Sequence, residues 1–152
     1  MPRVRKPPKR RLFLGPDAAK DLMDPQSAIN LLVGKGFVIS ALDRWTLGER
    51  IYGKNRGEFL DRLDPPPADV WEIRVTAPRP QARLFGRFAE PDTLILTKFH
   101  TRSMLGDKGS QAWNHAMAHC DQCWQTHFPG IPHFTANHIR AYVTENCDDY
   151  PI

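Results

Sequence analysis

Between Trp71 and His100 the chain contains three runs, WEIRVT, ARLFGRF and TLILTKFH, separated by short turns holding APRP and EPD. Alternation with a period of two sends successive side chains to opposite faces of a strand, so the runs read as an antiparallel meander. Trp71, Ile73 and Val75 share one face of the first run, with Glu72, Arg74 and Thr76 on the other. In the second, Arg83, Phe85 and Arg87 oppose Leu84, Gly86 and Phe88. In the third, Lys98 and His100 share a face, Phe99 points away, and Arg102 follows at the next alternate position. One side of this sheet is apolar and needs a helical cover. The other gathers Arg74, Arg83, Arg87, Lys98 and His100 around Phe85, with Glu72 as its acid, and reads as an open basic face.

Helical periods flank the strands. Asp24-Pro25 supplies a cap and a first-turn proline, and Ala28, Ile29, Leu31 and Leu32 follow at helical spacing until Gly34 and Gly36. Val38, Leu42, Trp45 and Ile51 recur at similar intervals, so helices are expected over 24–51. GKNRGEFLDRLDPPP closes this part, because successive prolines donate no ladder or helix hydrogen bonds. Ser110 can cap a helix over 110–127 whose Trp113, Ala116, Met117, Cys120 and Trp124 form one buried stripe. That helix is expected to pack on the apolar sheet face or against the N-terminal helices. Pro129 and Pro132 break it, leaving TANHIRAYVTEN as a last short helix and CDDYPI as a tail. The expected fold class is α+β: a small antiparallel sheet over 70–101 packed against N-terminal helices and one C-terminal helix. Residues 1–16 are expected to be a basic arm without fixed structure, 17–128 one domain, and 129–152 an extension.

With 152 residues, 41% hydrophobic and 25% charged, the chain suits one domain with a modest core. A net charge of +4 and a pI near 9.1 favour an anionic partner. Met1 to Arg11 adds six basic residues and no acid, an arm suited to phosphates or simply to solvent. No apolar stretch approaches the roughly 20 residues that span a bilayer, and the apolar LFLGP after the basic start is too short for an export signal. A cytoplasmic protein with no membrane partner is expected. There, three cysteines are thiols or metal ligands rather than a disulfide framework.

Cations around a ring suit a nucleic-acid strand, since guanidinium and ammonium groups neutralise phosphates while the ring stacks on a base. On this reading Arg74, Arg87 and Lys98 bind phosphate and Phe85 stacks. The same groups permit cleavage of RNA without a cofactor, because the 2′-hydroxyl already lies beside its scissile phosphate. His100 is the side chain on this face that titrates near neutrality, which makes it the candidate general acid or base, with Arg83 and Arg102 stabilising charge.

WEIRV, then ARLFGRF, then LILTKFHTR before a polar turn and an alanine-containing helix resemble the RelE/ParE toxin superfamily, in particular its HigB-like, phage-derived branch. The resemblance covers roughly residues 68 to 120, and its motifs are short. It implies a small antiparallel sheet flanked by helices, and a toxin of a toxin–antitoxin system, neutralised by a cognate antitoxin and acting as a ribosome-dependent messenger-RNA endonuclease. Glu72 and Arg74 occupy the family's Glu-Leu-Arg positions, Arg83 that of the strand arginine, and His100 and Arg102 the region of its paired lysines. Two other outcomes belong to the same resemblance: a ParE-like toxin that blocks a protein such as DNA gyrase, and a phage nucleic-acid-binding module without activity.

The helix HAMAHCDQCWQTH carries His115, His119, Cys123 and His127 at four-residue steps, so neighbouring pairs can chelate zinc. One ion cannot take them all. His115 and Cys123 stand about 12 Å apart along the axis, so a site would join one pair to tail ligands such as His133, His138 or Cys147. The plainer expectation has no cofactor, with Cys120 in the core stripe and the histidines on an exposed flank.

Overall fold

The computed structural model describes residues 9–53, 58–64 and 66–152. A mixed five-stranded sheet carries helices on both faces. Its strands are β1 (Arg11–Leu14), β2 (Leu60–Arg62), β3 (Trp71–Val75), β4 (Ala82–Glu90) and β5 (Thr93–Thr101), in the spatial order β1-β5-β4-β3-β2. The α+β class and the β3-β4-β5 meander are as expected, and β2 adds a further antiparallel strand on β3. β1 runs parallel to β5, pairing Arg11 with Thr93 through Leu14 with Leu96.

That pairing corrects the expected arm. Residues 1–8 lie outside the described residues, but from Lys9 the chain is anchored. Arg10 is buried, its Nη1 donates to Glu49 O at 3.0 Å, and its guanidinium lies 4.9 Å from the Trp45 ring. Here the alternating RLFL outweighs the basic composition, because β5 offers an unpaired edge to it.

Three helices follow instead of two: α1 (Pro16–Met23), α2 (Ala28–Leu32) and α3 (Lys35–Thr46). Pro16 opens α1 with its φ already helical, and Ala18 and Leu22, one turn apart, face the core. In α2 the Ser27 hydroxyl accepts from Asn30 N at 3.1 Å. These helices cover one sheet face, where Trp45, Trp71, Ile73, Leu84, Phe88, Leu94 and Leu96 form the larger core.

The expected C-terminal extension belongs to that core as well. After α4 (Arg102–Leu105) and α5 (Gln111–His127), the segment containing α6 (Ile139–Tyr142) buries Ile139, Tyr142, Val143 and Cys147 completely or nearly so. Phe134 N donates to Phe88 O, and the Tyr142 ring packs on Trp71 and Phe88 with centroids 4.7 and 5.1 Å away. All three cysteines are free and buried. Among the described residues no helix is long and apolar enough to cross a membrane.

Helix α5 has the expected limits, Ser110 accepting from Trp113 N at 3.2 Å, and its Trp113, Ala116, Met117, Cys120 and Trp124 are all buried. Its placement differs. It lies across the face read as open and basic, building a second, smaller core there from Val70, Phe85, Trp113, Ala116, Met117 and Cys120.

Candidate functional site

The register confirms that the strand cations share a face, and α5 divides them. Phe85 pairs with Lys98, Arg83 with His100, and Arg74 with Arg83. Phe85 is fully buried, its ring edge-on to Trp113 at 5.5 Å and against His100 at 4.8 Å. It therefore has no open ring face for a base, and the stacking role expected of it is corrected. Arg87 is equally unavailable to phosphate. It is 2% exposed, and its guanidinium donates to Asp121 of α5 at 2.6 Å and to Ala68 O at 2.7 Å. Lys98 points toward α1, donating to Asp21 at 2.7 Å.

What remains at the margin of α5 is a row directly in register across three strands: Arg74, Arg83 and His100. Like charges set opposite one another weaken a sheet, so the row needs counterions. Arg74 Nε donates to Glu72 at 2.8 Å and its Nη2 to Asp61 at 3.3 Å, while Arg83 Nε stands 3.8 Å from Glu72. Arg102 and Lys108 add two further cations over the Trp113 ring, at 5.8 and 5.9 Å. Arg74, Arg83 and Lys108 thus lie within 3.8 Å of two acids, Glu72 and Asp61. Burial lowers the Arg83 pKa, with Arg74 and Arg102 adding to the effect against Glu72, and burial raises that of Glu72.

Beside this row a groove of about 600 Å³ opens between α1, α2, β5 and α5, lined by Asp17, Asp21, Lys98, His100, His115 and His119 among others. Its origin is in the strand lengths. β1 stops opposite Leu96, so 97–101 of β5 form a free edge, and Asp21 reaches from α1 to accept from Phe99 N at 3.1 Å. Asp21 so protects an edge amide that no strand pairs.

His100 lines the groove with its Nε2 buried and without a hydrogen-bond partner among the described residues. Burial, helped by Lys98 and His119, lowers its pKa from 6.5 to about 4. The imidazole is therefore neutral at pH 7, the form that accepts a proton. A histidine whose folded pKa is depressed contributes stability that is present above 6.5 and lost as pH falls toward 4, since only the unfolded chain takes up the proton in that window. Across it the loss amounts to about 3 kcal/mol. Urea titrations from pH 7.5 to 4 should record that decline, and His100→Gln should remove most of it. An unchanged acid limb in the variant would assign it elsewhere.

Of the candidate zinc ligands, His119 and Cys123 meet. Cys123 Sγ lies 3.5 Å from the His119 ring nitrogens and 3.4 Å from Asp17 Oδ2, and His119 Nε2 lies 3.4 Å from the same oxygen. Burial and Asp17 push the Cys123 thiol up to about 12. His115, one turn earlier, is exposed on the groove wall. The tail residues lie elsewhere: His133 beside Asp69 at 3.6 Å, His138 in a bridge with Pro151, and Cys147 in a bridge with Ile51. Asp17 escaped the sequence reading because it stands 106 residues from Cys123, with no local signal linking them.

Comparison of the chain with protein-family models, with curated proteins and with solved structures found no match.

Proposed function

We propose that this chain is the toxin of a toxin–antitoxin system, an endoribonuclease that cuts messenger RNA on the ribosome and is held inactive by a cognate antitoxin. The single observation that carries the reading is the row Arg74–Arg83–His100, three basic side chains in direct cross-strand register at the margin of α5. Arg74 opposes Arg83 across the strands, and such unfavourable like-charge pairs concentrate at functional sites, where a ligand adds negative charge to that of Glu72 and Asp61. A phosphodiester is that ligand. Arg74, at the rim, neutralises the phosphate and Arg102 stabilises charge developing on it, while Arg83, 8% exposed with its Nη atoms donating to Ala82 O at 3.0 Å and to Gln81 at 2.9 Å, adds its charge from beneath. Neutral His100 takes the proton from the 2′-hydroxyl, whose oxygen attacks the adjacent phosphorus and breaks its bond to the 5′-oxygen, leaving a 2′,3′-cyclic phosphate and a 5′-hydroxyl that takes its proton from water. Its low pKa limits how strongly it drives that transfer. Phe85 and Arg87 have no part in binding. They hold α5 in place.

Inducing the gene in growing cells tests the class of activity. Translation arrest with loss of messenger RNA is expected. Filamentation with DNA damage would replace this reading by a block of DNA gyrase, and undisturbed growth would overturn it.

A further inference from the structure

We infer that Asp17, His119 and Cys123 form a binding site for one divalent transition-metal ion, zinc foremost, between α1 and the middle of α5. The inference does not rest on the RNA-cleavage reading. Asp17 Oδ2, His119 Nε2 and Cys123 Sγ form a triangle with sides of 3.4, 3.4 and 3.5 Å. Zinc bonds of about 2.3 Å to sulfur and about 2.0–2.2 Å to nitrogen and oxygen, at tetrahedral angles, separate the ligand atoms by roughly 3.3–3.6 Å. The separations therefore match one face of a tetrahedral shell without movement of either helix; Cys123 Sγ lies 3.5 Å from both ring nitrogens of His119, so the imidazole turns about its own side-chain torsions to aim Nε2 at the ion.

Its chemistry agrees with its shape. A thiolate, an imidazole and a carboxylate suit zinc rather than magnesium or calcium, which take oxygen ligands. The two anionic donors balance a dication, so an ion here would carry no net charge into a half-buried position. His119 and Cys123 are one turn apart on α5 and share a face, and Asp17 stands in the first turn of α1, held by the same helix whose Asp21 is tied to β5. Asp17 and His119 also line the 600 Å³ groove, so an ion held by them would lie at its wall. Three protein ligands and one open position are the arrangement of ions that activate water or a substrate oxygen.

Cobalt binding to the full-length reduced protein, purified without a histidine tag, tests this. Expected are one ion per chain, a thiolate-to-cobalt charge-transfer band, the intense visible bands of a four-coordinate ion, and displacement by zinc. Cys123→Ser should abolish the charge-transfer band, and Asp17→Asn and His119→Ala should weaken binding by on the order of 100-fold. His127→Ala, one turn beyond Cys123, should leave binding unchanged. Folding of each variant is followed by circular dichroism, and the two surface variants decide the matter if Cys123→Ser does not fold. Absence of cobalt binding, a charge-transfer band that persists in Cys123→Ser, or equal weakening by His127→Ala would overturn the site. Because the readout is spectroscopic, loss of the metal and loss of toxicity are separable.

Discussion

A Gly86→Ala variant is expected to lose the folded state, with a destabilisation above about 4 kcal/mol and a fall in melting temperature of more than about 10 °C. Gly86 sits at the register shift between β4 and β5, where the bulge presses the two backbones together. A Cβ at this position would stand 2.8 Å from Leu96 Cα and 2.9 Å from the Ile95 carbonyl carbon, and would meet the Ile95 oxygen closer still. Backbone atoms cannot rotate aside as a side chain does. Relief would require separating β4 from β5, the strand pair that joins both cores and carries Arg83 and His100. Thermal melts of wild type and variant settle it: a shift of only a degree or two would mean that the close approach is not real.

The second large effect is expected at Asp69. Its carboxylate accepts from the Tyr142 hydroxyl at 2.9 Å and from the Thr135 hydroxyl, and is paired with Arg62 at 3.4 Å and His133 at 3.6 Å. One acid thus ties the strap before β3 to the C-terminal segment. Burial alone would raise its pKa, yet the hydrogen bonds from Thr135 and Tyr142 and the charges of Arg62 and His133 outweigh burial and hold it below the usual range. Asp69 also adopts φ 58, a left-handed conformation that aspartate and asparagine tolerate better than alanine. Asp69→Ala should therefore cost about 3–5 kcal/mol, combining unpaired buried partners with backbone strain. Asp69→Asn keeps the conformation and some acceptors and should cost about half as much. The depressed pKa makes this contribution present above the unfolded value near 3.8 and lost as pH falls below it. Urea unfolding at pH 7 of both variants measures the difference, and equal costs would remove the backbone from the explanation.

Much of the sheet could be read from period alone. Alternation in WEIRV and ARLFGRF places Arg74, Arg83 and Phe85 on one face, and the register pairs them so. Whether that face meets solvent is a different kind of fact, decided by contacts distant in sequence. Arg87 finds its carboxylate on Asp121, 34 residues later, and Phe85 finds Trp113. Neither partner leaves a local trace, so a face with cations and one acid looked open when α5 covers half of it. β1 was hidden for the same reason: its four residues are strand because β5 lies beside them. The helical stripe of α5 was legible since 3.6-residue spacing is local, but the spacing is silent about which of two apolar surfaces it meets. Likewise His119 and Cys123 announce themselves as a pair, whereas Asp17 joins them only through the packing of α1.

The claim that matters most is that the row of Arg74, Arg83 and His100 holds and cuts RNA. Mapping RNA 5′ ends after brief induction of wild type and of a folded Arg83→Gln variant addresses it directly. New ends within coding regions should accumulate with wild type and fall by on the order of 100-fold in the variant, as loss of a charge-stabilising donor requires. The same ends at the same yield from Arg83→Gln, or none from wild type, would contradict it.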